Sequence, residues 1–185
     1  MSPNSPSVTN ATSLDILKFV NYGHKIIWYH GLSDPGPPVL GTQLYYQQMA
    51  QQFGGLEQAQ NFSRYYPVPN MDHCTGGATT DQFDLLTPIV NWVENGTAPS
   101  PIAATGTSFN AATYQVVGNY ITGTFVNAPT TRNRPLCPFP QQARFVGSTT
   151  VMNGVPVASN PTDLANAANY TCIQPPEGEP PFPPH

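Results

Sequence analysis

The run Ile26-Ile27-Trp28-Tyr29 constrains this chain more than any other stretch, because four bulky residues follow one another with no polar residue between them. A strand with one wet face alternates apolar and polar side chains. An unbroken run belongs to a strand covered on both faces, as in a parallel sheet flanked by helices. The turn chemistry of Asp34-Pro35-Gly36-Pro37-Pro38 follows it. A second strand is expected over 63–68, where Pro67 draws it toward an edge or a bend. Between the two strands, Tyr45, Met49 and Phe53 recur at four-residue spacing, which predicts a helix over about 41–53 stopped by Gly54-Gly55. A further helix is expected over 85–94, with Leu85, Leu86, Ile89, Val90 and Val93 on one face and Asn95-Gly96 closing it. Either Asp84 or Thr87 can cap it, and Pro88 fits only in a first turn. Strand and helix thus alternate through the first hundred residues, the pattern of an α/β sheet.

The flanks read differently. Residues 1–12 form a Ser/Pro/Asn/Thr lead-in, and 13–20 suit a short helix broken by Gly23. The α/β stretch occupies 13–98. From 99 to 173 small and β-branched residues dominate an irregular arm. There Tyr114 to Val117 and Tyr120 to Val126 can pair about Gly118-Asn119, and 163–170 suit a short Ala-rich helix. Residues 174–185 are a Pro/Glu/Gly tail of extended or disordered character. With 22 prolines among 185 residues but an aromatic content of 11%, the chain reads as a packed body with long loops.

Charge and hydropathy exclude two kinds of partner. Six basic residues against ten acidic, with no basic cluster, offer little to displace counterions from phosphates, so no nucleic-acid partner is expected. No run approaches the roughly 20 apolar residues that span a bilayer, so no membrane partner is expected either. Residues 1–10 lack the basic start and apolar stretch of a signal peptide. If the parent protein is exported, its signal is expected upstream.

The chemistry concentrates in two loops. Asp34 lies five residues beyond Tyr29, and His73 lies five beyond Val68. Both positions belong to loops at the carboxyl ends of neighbouring parallel strands, where side chains converge. An acid followed by a histidine is also the order in which an α/β-hydrolase supplies the last two members of a Ser…Asp…His triad. There the histidine takes the hydroxyl proton and the acid holds its tautomer. No serine of this chain sits in a G-x-S-x-G elbow, so the nucleophile is expected elsewhere. The plain alternative is an Asp-Pro turn and a surface histidine. His30 has two readings, a pocket-lining residue beside Asp34 or a structural one with its ring bonded to loop carbonyls. His24, His30, His73 and Cys74 lack zinc spacing, and no metal site is expected.

Five blocks carry a wider resemblance: Trp28-Tyr29-His30-Gly31-Leu32-Ser33-Asp34-Pro35, His73-Cys74, Phe83-Asp84, Asn91-Trp92-Val93-Glu94-Asn95-Gly96-Thr97-Ala98-Pro99 and Arg134-Pro135-Leu136-Cys137-Pro138-Phe139-Pro140. In this order, from about 13 to 172, the chain resembles the tannase and feruloyl esterase family, the last block most specifically. The resemblance implies a fold class of α/β type. This would be the C-terminal part of an α/β-hydrolase fold, two parallel strands with helices, plus an irregular, partly β arm. It implies secreted esterases acting on galloyl, feruloyl or related aromatic esters, with Asp34 as triad acid and His73 as base. It implies that Cys74 is bonded to a cysteine next to the nucleophilic serine, in a missing N-terminal part of the hydrolase. A small buried thiol is the alternative for Cys74. Cys137 and Cys172 are then expected to pair within the arm. The family's lid, with its calcium-binding loop, and its oxyanion hole have no counterpart here, so no cofactor is expected in this chain. Asp72 departs from the small residue common before the His-Cys pair. Its carboxylate either raises the proton affinity of His73 or points to solvent.

A truncated, non-catalytic secreted module is the alternative function. Asn10, Asn61, Asn95 and Asn169 head glycosylation sequons in form, with Asn61 and Asn95 expected at the surface. An isolated piece of this kind is expected to show an incomplete sheet and apolar helix faces without partners.

Overall fold

Two parallel strands organise the chain: β1 (Ile26–Gly31) and β2 (Ser63–Val68) pair from Ile26 opposite Ser63 to Gly31 opposite Val68. The computed structural model describes residues 12–77, 79–106, 111–117, 120–126 and 131–176, with backbone alone over 111–126. Parallel strands need a long crossover. Here it runs through two helices, α2 (Val39–Gln52) and α3 (Leu56–Ala59). A short helix, α1 (Leu17–Asn21), precedes β1. It begins later than the residue pattern suggests because side chains of α2 engage the carbonyls of the residues just before it. Tyr45 donates to the Ser13 carbonyl at 2.9 Å, and Gln52 to the Leu14 carbonyl at 3.1 Å.

β2 is buried on both faces. Tyr65 packs on one side with Tyr46, Met49, Ala50, Ala59, Phe62 and Phe139. Tyr66 and Val68 pack on the other with Met71, Ile102, Ala104 and Leu136. Fully burying a large apolar side chain contributes on the order of 1.5–3 kcal/mol, so these two clusters dominate the stability of the site's foundation. β1, the strand expected to be covered on both faces, is only half-buried, and its Tyr29 is 43% exposed. Its position explains this: β1 has β2 on one side and no further strand among the described residues on the other. Pro67 is accommodated in β2 because that strand likewise has one ladder partner. Beyond its outer edge a backbone bond arrives from the arm, Phe139 N–H to the Tyr65 carbonyl at 2.7 Å.

The last helix, α4 (Leu86–Asn95), is amphipathic and half-used. Trp92 is buried, with the Lys25 ammonium 5.4 Å and the Arg64 guanidinium 5.3 Å from its ring. Leu86, Val90 and Val93 remain exposed, as do Leu40 and Leu44 of α2. Of the two capping candidates, Asp84 serves. Its Oδ1 accepts the Leu86 and Thr87 N–H groups at 2.8 and 3.1 Å, and the Thr87 hydroxyl together with those bonds holds its carboxyl below the ordinary carboxylate range. Gly96 ends the helix in the left-handed conformation, φ 69°.

The arm is antiparallel. β3 (Gln82–Phe83), β4 (Ile102–Gly106) and β7 (Arg132–Leu136) form one sheet. β5 (Ala111–Val117) pairs with β6 (Tyr120–Val126), Val117 opposite Tyr120, so the expected hairpin strands are paired. Its turn, 118–119, lies outside the described residues, as do 1–11 with the Asn10 sequon and 177–185 of the tail. β8 (Gln142–Phe145) pairs with β11 (Tyr170–Ile173), and β9 (Thr149–Met152) with β10 (Val155–Ala158). The Ala-rich segment is not one helix but two 3₁₀ turns, Pro161–Ala165 and Ala167–Asn169. Asn166 separates them with extended backbone and caps the second by accepting the Ala168 N–H.

Cys137 and Cys172 are bonded, with Cα atoms 5.6 Å apart and 35 residues of sequence separation. Closing a loop of that length restrains the unfolded chain by about 4 kcal/mol in the chain-entropy model. The Cys137→Ala/Cys172→Ala double variant is therefore expected to lose about 3–4 kcal/mol of unfolding free energy in urea titrations. A loss below about 1 kcal/mol would show that the arm contributes little to the cooperative unit.

Candidate active site

The ends of β1 and β2 continue into loops that remain attached to each other. Leu32 N–H bonds the Val68 carbonyl at 2.9 Å and Ser33 N–H bonds the Met71 carbonyl at 3.0 Å. That approach needs a glycine at 31: a Cβ there would land on the carbonyl oxygens of Met71 and Asp72. Met71 is fully buried in the second cluster and anchors its loop from below. Asn70 and Cys74 take positive φ, 57° and 67°, and reverse the chain on either side of the histidine. Beyond it, Asp81 accepts the Thr75 hydroxyl at 2.7 Å and the Gly76 N–H at 2.9 Å, which lowers its pKa and ties the loop shut.

On this frame Asp34 and His73 meet. Asp34 Oδ2 lies 2.8 Å from His73 Nδ1, and Asp34 Oδ1 accepts the Gly36 N–H at 2.8 Å. The Asp34 side chain is 4% exposed, whereas that of His73 is 61% exposed. Burial would raise the Asp34 carboxyl. The His73 hydrogen bond, the Gly36 N–H and the charges of His73 and His30 outweigh burial and hold the pKa below its ordinary value of 3.8. An ionised carboxylate only accepts, so His73 donates from Nδ1 and its Nε2 is left to receive a proton.

A second imidazole approaches the same oxygen. His30 Nε2 stands 3.2 Å from Asp34 Oδ2, within ion-pair reach but without hydrogen-bond alignment, and Nε2 has no other polar partner among the described residues. Its Nδ1 is 2.8 Å from the Thr42 hydroxyl of α2. Of the two readings of His30, proximity to Asp34 holds, and the ring bonds a side-chain hydroxyl rather than loop carbonyls. Thr42 carries no signal in the sequence, since a threonine near the start of a helix is commonplace. His30 does carry one, standing four residues before the acid at the end of the same strand.

Tyr29, His30, Asp34, Thr42, Met71, His73 and Cys74 help to line an open recess of about 390 Å³. Cys74 is a free, exposed thiol, so the buried-thiol alternative does not describe it. Asp72 is exposed and lies beside the Gly76-Gly77 turn, where a Cβ on Gly77 would come within 3.2 Å of its Oδ1. Among the described residues no group of three or more His, Cys, Asp or Glu is placed to hold a metal ion. What the arrangement can do is general base chemistry: an imidazole oriented by a buried anion and open to solvent on its far side.

Known proteins are similar to this chain in sequence and in the arrangement of elements. A family model described as "Tannase and feruloyl esterase" matches residues 3–155. The mono(2-hydroxyethyl) terephthalate hydrolase of Piscinibacter sakaiensis is 40% identical over 167 residues, covering 90% of this chain and 22% of that protein. Two solved structures from Aspergillus oryzae have similar folds, each over 87% of this chain and 29% of theirs. One is an esterase, with a TM-score of 0.61 at 22% identity, and the other is feruloyl esterase B, with 0.57 at 20%. The chain thus spans less than a third of the length of each.

Two outcomes are expected. Gly31→Ala forces the Met71-Asp72 backbone away and should abolish the Asp34–His73 hydrogen bond, read as loss of the low-field imidazole proton in NMR spectra; retention of that proton would show the loops tolerate separation. Asp34, with its folded pKa depressed, contributes stability that is present above its unfolded value and lost as pH falls through the lower folded one. Asp34→Asn should therefore flatten the acid side of the stability profile below about pH 4, and an unchanged profile would contradict it.

Proposed function

The chain belongs to the tannase and feruloyl esterase family, and on that premise we propose that it carries the acid and base of a serine esterase whose nucleophile resides in polypeptide outside these 185 residues. The observation that carries this reading is the 2.8 Å contact between Asp34 and His73. The buried carboxylate holds the imidazole with its proton on Nδ1. His73 Nε2 then removes the proton from the serine hydroxyl as that oxygen attacks the ester carbonyl. The imidazolium formed is stabilised by Asp34 and returns its proton to the departing alcohol, leaving an acyl-enzyme. Water activated by the same nitrogen releases the acid and restores the serine.

The substrate class is an ester of an aromatic acid, such as a galloyl or feruloyl ester. Support comes from the names of the relatives, a terephthalate monoester hydrolase and probable feruloyl esterases. Cys74, exposed beside the base, is the natural attachment for the polypeptide that brings the serine. The Cys137–Cys172 bond favours an oxidising compartment and hence secretion. In such a compartment Asn61 and Asn95 are exposed for glycosylation, whereas Asn169 is half-buried and bonded to the Asp163 carbonyl.

The second reading is a non-catalytic secreted module, favoured by the lack of an elbow serine and by the open apolar faces of α2 and α4. A fluorophosphonate probe and methyl ferulate separate the two. The 185-residue chain alone should be neither labelled nor active. Co-folded with a family N-terminal segment containing the nucleophilic serine and its neighbouring cysteine, it should gain labelling, turnover and a reducible link at Cys74. His73→Ala should then cost on the order of 10⁶ in turnover, and Asp34→Asn on the order of 10⁴. An inactive complex would favour the module, and labelling of the chain alone would place the nucleophile within it.

A further inference from the structure

His30 is a poor residue to bury for packing alone. Its side chain is only 10% exposed, and Nε2 has no aligned hydrogen bond. An apolar residue at this point of β1 would fill the space without leaving a polar atom unpaired. What the imidazole gains in return is its position. It and His73 converge on one oxygen of Asp34, His30 from the strand and His73 from the loop beyond β2, at 3.2 and 2.8 Å. The other oxygen is held by the Gly36 N–H. On the far side of the ring, the Thr42 hydroxyl reaches Nδ1 at 2.8 Å. If Thr42 donates there, the neutral ring must carry its own proton on Nε2, facing the carboxylate. The opposite tautomer would set a lone pair against an anionic oxygen at the same distance.

We propose that His30 is a positioning residue: a second imidazole, aimed by Thr42, that fixes the orientation of the Asp34 carboxylate and thereby the Nδ1–H tautomer of His73. The proposal rests on the acid–base pairing put forward above and extends it. Asp34 is then clamped from three directions, by β1, by its own loop and by the β2 loop. With His30 removed, the carboxylate can turn about its side-chain bonds, and the hold on His73 loosens. A free neutral imidazole prefers its proton on Nε2, the nitrogen that a base must keep bare. Loosening the acid therefore converts His73 to its unreactive form.

The test uses the full chain with ¹⁵N-labelled histidine, and the readout is the His73 tautomer ratio from long-range ¹H–¹⁵N spectra at a pH where the rings are neutral. His30→Leu should shift His73 several-fold toward the Nε2–H form, whereas His30→Gln, which keeps a donor, should retain most of the Nδ1–H form. Thr42→Val should shift it in the same direction by less, and it carries the test if His30→Leu fails to fold. An unchanged tautomer ratio in Thr42→Val and in folded His30→Leu would overturn the proposal and leave His30 as filler. Asp34→Asn separates the two layers of the argument. If it leaves the ratio of the wild-type chain intact, the Asp34–His73 pairing itself is wrong. If it abolishes the Nδ1–H preference while the His30 and Thr42 variants do not, only the role of His30 falls.

Discussion

Two backbone hydrogen bonds beyond the ends of the strands, Leu32 to Val68 and Ser33 to Met71, hold the candidate site in register. They keep the acid loop and the histidine loop within a glycine's width of each other at residue 31. A side-chain contact of 2.8 Å between groups 39 residues apart is otherwise hard to maintain, because long polar side chains lose rotamer freedom in making it. Here the backbone has already brought the loops together, and Asp34 and His73 add only their final torsions. Met71 beneath the loop and the Asp81 bonds beyond it serve the same purpose.

The stability behind this register comes from β2 rather than from β1. Tyr65 faces one apolar cluster and Tyr66 and Val68 the other, so the strand that carries the histidine loop is clamped on both sides. The arm contributes to both clusters, Phe139 to the first and Ile102, Ala104 and Leu136 to the second. β1 leans on this assembly through its ladder and through Trp28, whose indole N–H donates to the Ser63 hydroxyl at 2.8 Å. A half-buried strand can thus place an acid accurately because its neighbour is rigid.

Much of this was legible in the residues. The unbroken run at Ile26, the helix periodicity through Tyr45 and Met49, and the stop signals at Gly54 and Gly96 each express a local rule, and the elements appear where those rules place them. The family resemblance carried by the Trp28–Pro35 and Arg134–Pro140 blocks agrees with the family to which the chain belongs. What stayed hidden depends on tertiary context. The partial exposure of β1 follows from the number of neighbouring strands, which no window of sequence reports. The later start of α1 follows from side chains of α2 bonding carbonyls more than 30 residues away. The Ala-rich segment breaks at Asn166 because that side chain caps a new turn in preference to continuing the old one. Thr42 matters only through the ring it touches.

The disulfide closes residues 137–172 of the arm into a loop that includes the exposed hairpin around Asn153-Gly154, while Leu136 and Phe139, which reach into the two clusters, sit beside Cys137. A protease that nicks that hairpin therefore separates no piece from the body: the severed ends stay tethered through sulfur, and Leu136 and Phe139 keep their seats. Chain continuity and structural integrity are uncoupled in this region, and it takes a reductant acting together with a cut to set the outer segment free.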